Sequence, residues 1–99
     1  MQALTAQYLA ELPHRVDEMI SLAETYKEDP EDVDLNQRLR LLVHKLRGTA
    51  GTHGLQKLSE EAGLLEDMLR EIHSTGAVAD MEFWRAADFS IARIKAMAE

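Results

Sequence analysis

Two apolar stripes at helical spacing, separated by little more than one glycine, constrain this chain more than anything else in it. Leu35, Leu39, Leu42, Leu46, Ala50 and His53 follow one another at steps of four and three, the interval at which residues share one face of an α-helix. After Gly54 the pattern resumes with Leu58, Ala62, Leu65, Leu69 and Ile72. Gly54 is expected to close the first helix in a left-handed conformation that only glycine takes cheaply. A turn this short forces the two helices antiparallel. Residues equidistant from the turn then lie side by side, and with the turn centred near Leu55, His44 stands level with Glu66.

The flanking segments repeat the spacing. Leu4, Tyr8, Leu9 and Leu12 mark one side of a short helix over residues 2–12, and Pro13 predicts a kink or a fresh helix start. Val16, Met19, Ile20, Ala23 and Tyr26 form the next apolar face. The acidic run from Glu28 to Asp34 offers two helix starts, Asp29 before Pro30 and Asp34 with Gln37 as a capping box. Its spacing does not match an EF-hand, so these carboxylates read as a solvated loop and cap. Asp80 is a good N-cap for a last helix whose apolar face holds Trp84, Ala87, Ile91 and Ile94.

Composition closes off most function classes. With 99 residues and 45% hydrophobic side chains, dominated by Leu and Ala, the chain suits one all-helical domain over residues 1–99. A net charge of −7 opposes nucleic acid as a partner. Without cysteine there is neither a disulfide framework nor a cysteine zinc site. No apolar run approaches the roughly 18 residues of a membrane span, and no signal peptide is visible, so a cytoplasmic location is expected. A histidine metal site is disfavoured too. His44 and His53 lie on opposite faces, and His14 and His73 sit on other elements.

His44 is the residue with chemical promise. A glycine inside a helix costs about 1 kcal/mol against alanine, yet Gly48 and Gly51 both share the His44 face, with Gln37, Arg40, Leu41 and Arg47. The stretch from Arg38 to Lys57 holds no acidic residue, although the chain as a whole is acidic. An imidazole beside basic side chains and bare backbone is a landing place for something bulky and negative. Imidazole is a capable nucleophile near neutral pH. A carboxylate such as Glu66 on Nδ1–H would fix the tautomer and steady the developing imidazolium, leaving Nε2 to attack. Arg47 and Lys45 offer positive charge to such an anion, and Arg47 lies nearer the histidine face.

His44-Lys45-Leu46-Arg47-Gly48-Thr49-Ala50-Gly51, with Gly54 ten residues after the histidine, resembles the signature of histidine-containing phosphotransfer domains. These are the four-helix-bundle phosphocarriers of phosphorelays, with the pattern His, any residue, apolar, Lys or Arg, Gly, then two small residues. Leu12-Pro13-x-Arg15 and Leu65-Glu66 match further common features, so the resemblance covers nearly the whole chain. It implies an all-α antiparallel four-helix bundle with a short additional N-terminal capping helix. It also implies that His44 accepts a phosphoryl group from a receiver-domain aspartate or a hybrid sensor histidine kinase and passes it to another receiver aspartate. Glu66 falls where the family places a polar partner of the imidazole, and Arg47 falls at its basic position. Arg40, Leu41, Lys45, Gly48 and Gly51 would meet the partner. The Mg²⁺ belongs to the receiver, and this chain needs no cofactor or metal. It has no Gly-rich phosphate loop or kinase signature, so it is expected to be a carrier rather than an enzyme. An open transfer face implies a monomer. One departure is His53, where the family usually has an aromatic or aliphatic residue. The competing reading is a helical interaction module that binds a receiver without being phosphorylated.

Overall fold

The computed structural model describes residues 3–99, with side chains from Thr5 onward. It contains four helices: α1 (Ala3–Glu28), α2 (Val33–Thr52), α3 (Gln56–Thr75) and α4 (Met81–Ala98). Each helix packs on two neighbours, α1 and α3 both lying against α2 and α4. The result is an all-α antiparallel bundle. Contacts between α1 and α2 run in opposite senses along the chain, Tyr26 meeting Asn36 near one end and Tyr8 meeting Thr49 near the other. At about 1.5 Å per residue, α1 spans nearly the whole 43 Å length of the bundle.

That length is a correction. The sequence predicts a separate capping helix that stops at Pro13, but α1 passes through Pro13 as one element. The reason is where the proline faces. Tyr8, Leu12, Val16, Met19, Ala23 and Tyr26 form one uninterrupted buried face, while Pro13 is exposed on the other side. The ring and the lost N–H of Pro13 therefore fall on the face away from the core. Burial of each large side chain on the opposite face contributes about 1.5–3 kcal/mol, enough to hold the helix across the break. The side chain of Leu4, also assigned to the first apolar face, lies outside the described residues.

A second correction concerns the start of α2. Neither Asp29 nor Asp34 caps it. Asp32 does, its Oδ1 accepting from the backbone N–H of Asp34 (2.9 Å) and of Leu35 (3.2 Å). Asp34 lies inside the first turn and pairs with Arg38 at 2.9 Å. The buried stripe of α2 keeps Leu39, Leu46 and Ala50 as expected but takes the next residue at two of its steps. Asn36, Leu39, Val43, Leu46 and Ala50 are buried, whereas Leu35 and Leu42 are half-buried. Asn36 is tolerated in the core because its Nδ2 donates to Tyr26 Oη (3.1 Å) and to the Leu69 carbonyl (3.2 Å). On α3, Leu58, Ala62, Leu65 and Leu69 are buried as the spacing predicts, and on α4 Trp84, Ala87, Ile91 and Ile94 are. Asp80 caps α4 through Phe83 N–H at 2.9 Å.

The α2–α3 turn is what sets the height of one helix against the other. Gly54 has φ +77°. Its N–H bonds to the Gly51 carbonyl (3.1 Å), and Leu55 N–H reaches the Ala50 carbonyl (2.8 Å), a Schellman closure. Gly54→Ala should lower stability by about 1–2 kcal/mol, or several degrees in a thermal melt. An unchanged melt would show that the turn tolerates a Cβ.

Candidate functional site

His44 follows the buried Val43 on α2, so its ring leaves the helix at the α2–α3 seam rather than directly away from the core. The side chain is 63% exposed, and Nδ1 lies 2.8 Å from Glu66 Oε2. Glu66 projects from α3 into this seam with a side chain only 1% exposed. An ionised carboxylate can only accept, so Nδ1 carries a proton, and in the neutral imidazole the lone pair is then on Nε2. No other hydrogen bond reaches the ring among the described residues. The imidazole is thus anchored on one nitrogen and open on the other.

Glu66 is the hub. Arg70, one turn later on α3, donates to Oε2 from Nη2 (2.7 Å) and Nε (3.1 Å). Arg47, from α2, donates to Oε1 at 3.2 Å. Burial alone would push this carboxyl up, but hydrogen bonds from Arg70, His44 and Arg47 outweigh it and hold the group below the ordinary carboxylate range. Glu66 is therefore charged at neutral pH, and two guanidinium groups face it beside the imidazole. The arrangement can bind an anion at the open nitrogen and stabilise positive charge on the ring behind it.

The register argument places Glu66 beside His44, and the structure puts them in hydrogen-bond contact. Arg47 joins the same carboxylate. Lys45 turns the other way, bordering the α1–α2 groove with Arg15, Glu18 and Thr49. Leu41 is exposed, and a Cβ at Gly48 would meet nothing within 4 Å. Gly51 is exposed but less free: a Cβ there would come within 3.3 Å of Ser59 Oγ, which donates to the Arg47 carbonyl at 2.8 Å. Gly51 therefore also lets α3 approach α2. Arg40 is half-buried and drawn back, its Nε donating to Asn36 Oδ1 at 2.7 Å.

The sequence reading did not single out Arg70 or Gly63. A basic residue four positions after Glu66 on a helix was a readable signal for the first. Gly63 lies buried on α3 directly under the Arg47 side chain, a placement visible only across the helix pair. His53 forms the C-cap of α2, stacks on Tyr8 (centroids 4.4 Å apart, 8° between planes) and bonds Thr5 Oγ1 through Nδ1 at 3.0 Å. It joins the turn to α1, filling by stacking the place where the family usually has an apolar ring or chain. His14 pairs with Glu18 at 2.9 Å and His73 is exposed.

Among the described residues, no group of three or more His, Asp or Glu could hold a metal ion, and no helix is long and apolar enough to cross a membrane. No curated protein and no solved structure matches the chain. The family model of the Hpt domain does match, over residues 3–99. With the helical bundle and the His44 motif, that match, essentially end to end, means that the chain belongs to the Hpt domain family, the phosphotransfer modules of phosphorelay signalling.

Proposed function

We propose that His44 is the phosphoryl-carrying residue, taking the group from one receiver-domain aspartate, or from a hybrid sensor histidine kinase, and giving it to another receiver. The observation that carries this reading is the half-anchored ring: Nδ1 held by the buried Glu66 and Nε2 open to solvent. Nε2 attacks phosphorus as the bond from phosphorus to the aspartyl oxygen breaks, and the aspartate leaves as carboxylate. Positive charge that develops on the ring is met by Glu66, and the spare N–H groups of Arg47 face the phosphoryl oxygens. The receiver brings the Mg²⁺ and the acidic site, which the basic surface around His44 complements. No kinase or nucleotide motif is present in the sequence, so the chain serves as a carrier. In this reading it acts as one monomeric domain in the cytoplasm, where soluble receivers can dock and leave.

Two donors test it. Phosphoramidate delivers phosphate directly to an imidazole, and a receiver charged with acetyl phosphate and Mg²⁺ delivers it by docking. Acid-labile, base-stable label from either is the expected result. No such label from phosphoramidate or from a panel of charged receivers would sink the reading, and receiver binding in that setting would favour an interaction module.

The two donors also separate docking from chemistry. Gly48→Gln fills open space on an exposed helix face. It should leave phosphoramidate labelling unchanged and raise stability by about 0.5–1 kcal/mol through helix propensity. Transfer from a receiver should fall about tenfold or more, as the longer side chain obstructs close approach. Equal effects on both donors would move Gly48 from docking into the chemistry.

A further inference from the structure

Gly63 has no conformational reason to be glycine. It lies in the middle of α3, and among the described residues positive φ is found only at Gly54 and Gly76. Alanine would fit that backbone and favour the helix more. What a side chain would disturb is Arg47. A Cβ at residue 63 would lie 3.2 Å from Arg47 Nε, 3.3 Å from Cζ and 3.5 Å from Cδ. The guanidinium rests on the bare backbone of α3 there, and from that seat Nη1 reaches Glu66 Oε1 at 3.2 Å. The bond is already long, so a shift of a few tenths of an ångström weakens it sharply. Arg47 is half-exposed and flexible, and it can leave its seat at little cost to the fold.

We infer that Gly63 is a positioning residue: its missing side chain forms the seat that aims the Arg47 guanidinium at the phosphoryl group on His44. This rests on the phosphocarrier reading. Three consequences follow from the geometry. The Arg47 seat is made by the opposite helix, so α3 contributes to the site at Gly63 as well as at Glu66 and Arg70. Arg70 and His44 still bond Glu66 when the seat is filled, so loss of the seat affects the aim of Arg47 more than the tautomer of His44. The effect of filling the seat must also vanish once Arg47 is gone.

The test is a double-mutant cycle with Gly63→Ala and Arg47→Ala, read by phosphoramidate labelling, thermal melting and the Nε–H NMR signal of Arg47. Gly63→Ala should melt no lower than the wild type, shift the Arg47 signal and slow labelling about tenfold, as expected for a small misplacement of a charge-bearing group. In the Arg47→Ala background it should slow labelling no further. An unmoved Arg47 signal, or an equal slowing in both backgrounds, overturns the inference. A wild type that takes no label overturns the phosphocarrier reading instead, and the Arg47 signal then still decides whether Gly63 seats the side chain.

Discussion

Replacing His44 with glutamine is expected to abolish phosphoryl labelling and to lower the melting temperature only slightly. Glutamine is polar, and its amide N–H can still reach Glu66, but it has no nucleophilic nitrogen to take the group. The His44 side chain is 63% exposed, so little packing is lost, and Arg70 and Arg47 still bond Glu66, which limits the cost to about 0.5–1.5 kcal/mol, the worth of one hydrogen bond. The measurement is labelling of H44Q by phosphoramidate and by a charged receiver, beside a thermal melt. Retained label at the wild-type rate would move the chemistry to another histidine, with the exposed His14 or His73 the first to examine. Loss of label together with a large drop in melting temperature would show that His44 supports the fold as well.

Glu66→Ala is expected to slow transfer about a hundredfold, the lower range for loss of a positioned acid–base partner. Without the carboxylate, neither the tautomer nor the orientation of the ring is held, and Arg47 and Arg70 lose their common anchor. Stability should fall by about 1–3 kcal/mol. It stays below the cost of stranding a fully buried charge because the His44, Arg47 and Arg70 side chains are half or more exposed and rehydrate. The pH dependence has a definite sign. The folded-state pKa of Glu66 is lowered from 4.5, so its contribution is full above that value and is lost as pH falls through the lower folded value. The wild type should therefore melt above Glu66→Gln at pH 7, and the gap should narrow as the pH falls below about 4.5. Parallel melting curves from pH 7 to 3 would mean that the ionised carboxylate contributes nothing to the fold.

Much of this architecture is legible without coordinates, and the misses share a cause. The α2–α3 hairpin is readable because Gly54 fixes both the turn and the register, which brings His44 level with Glu66. Pro13 misleads because a proline announces a lost hydrogen bond but not the direction it faces. The unbroken series Tyr8, Leu12, Val16 on the opposite side outweighs it. The α2 stripe holds at Leu39, Leu46 and Ala50 and misses at two steps, where Asn36 and Val43 are buried in place of Leu35 and Leu42; Asn36 looks polar, and only Tyr26 and the Leu69 carbonyl make it a core residue. Gly63 belongs to the same class: its importance lies in the Arg47 side chain that crosses from α2, and intervals along one chain do not encode that, whereas the i,i+4 step from Glu66 to Arg70 was there to be read.

The hydrogen bonds of the site span only His44 to Arg70, and no side chain of α1 or α4 joins them among the described residues. The candidate site is thus contained in one helical hairpin, with α1 and α4 behind it closing the shared core. A designer who wants the same chemistry in another bundle needs one antiparallel helix pair with this stagger, a shelf for an arginine and a dry seat for one carboxylate.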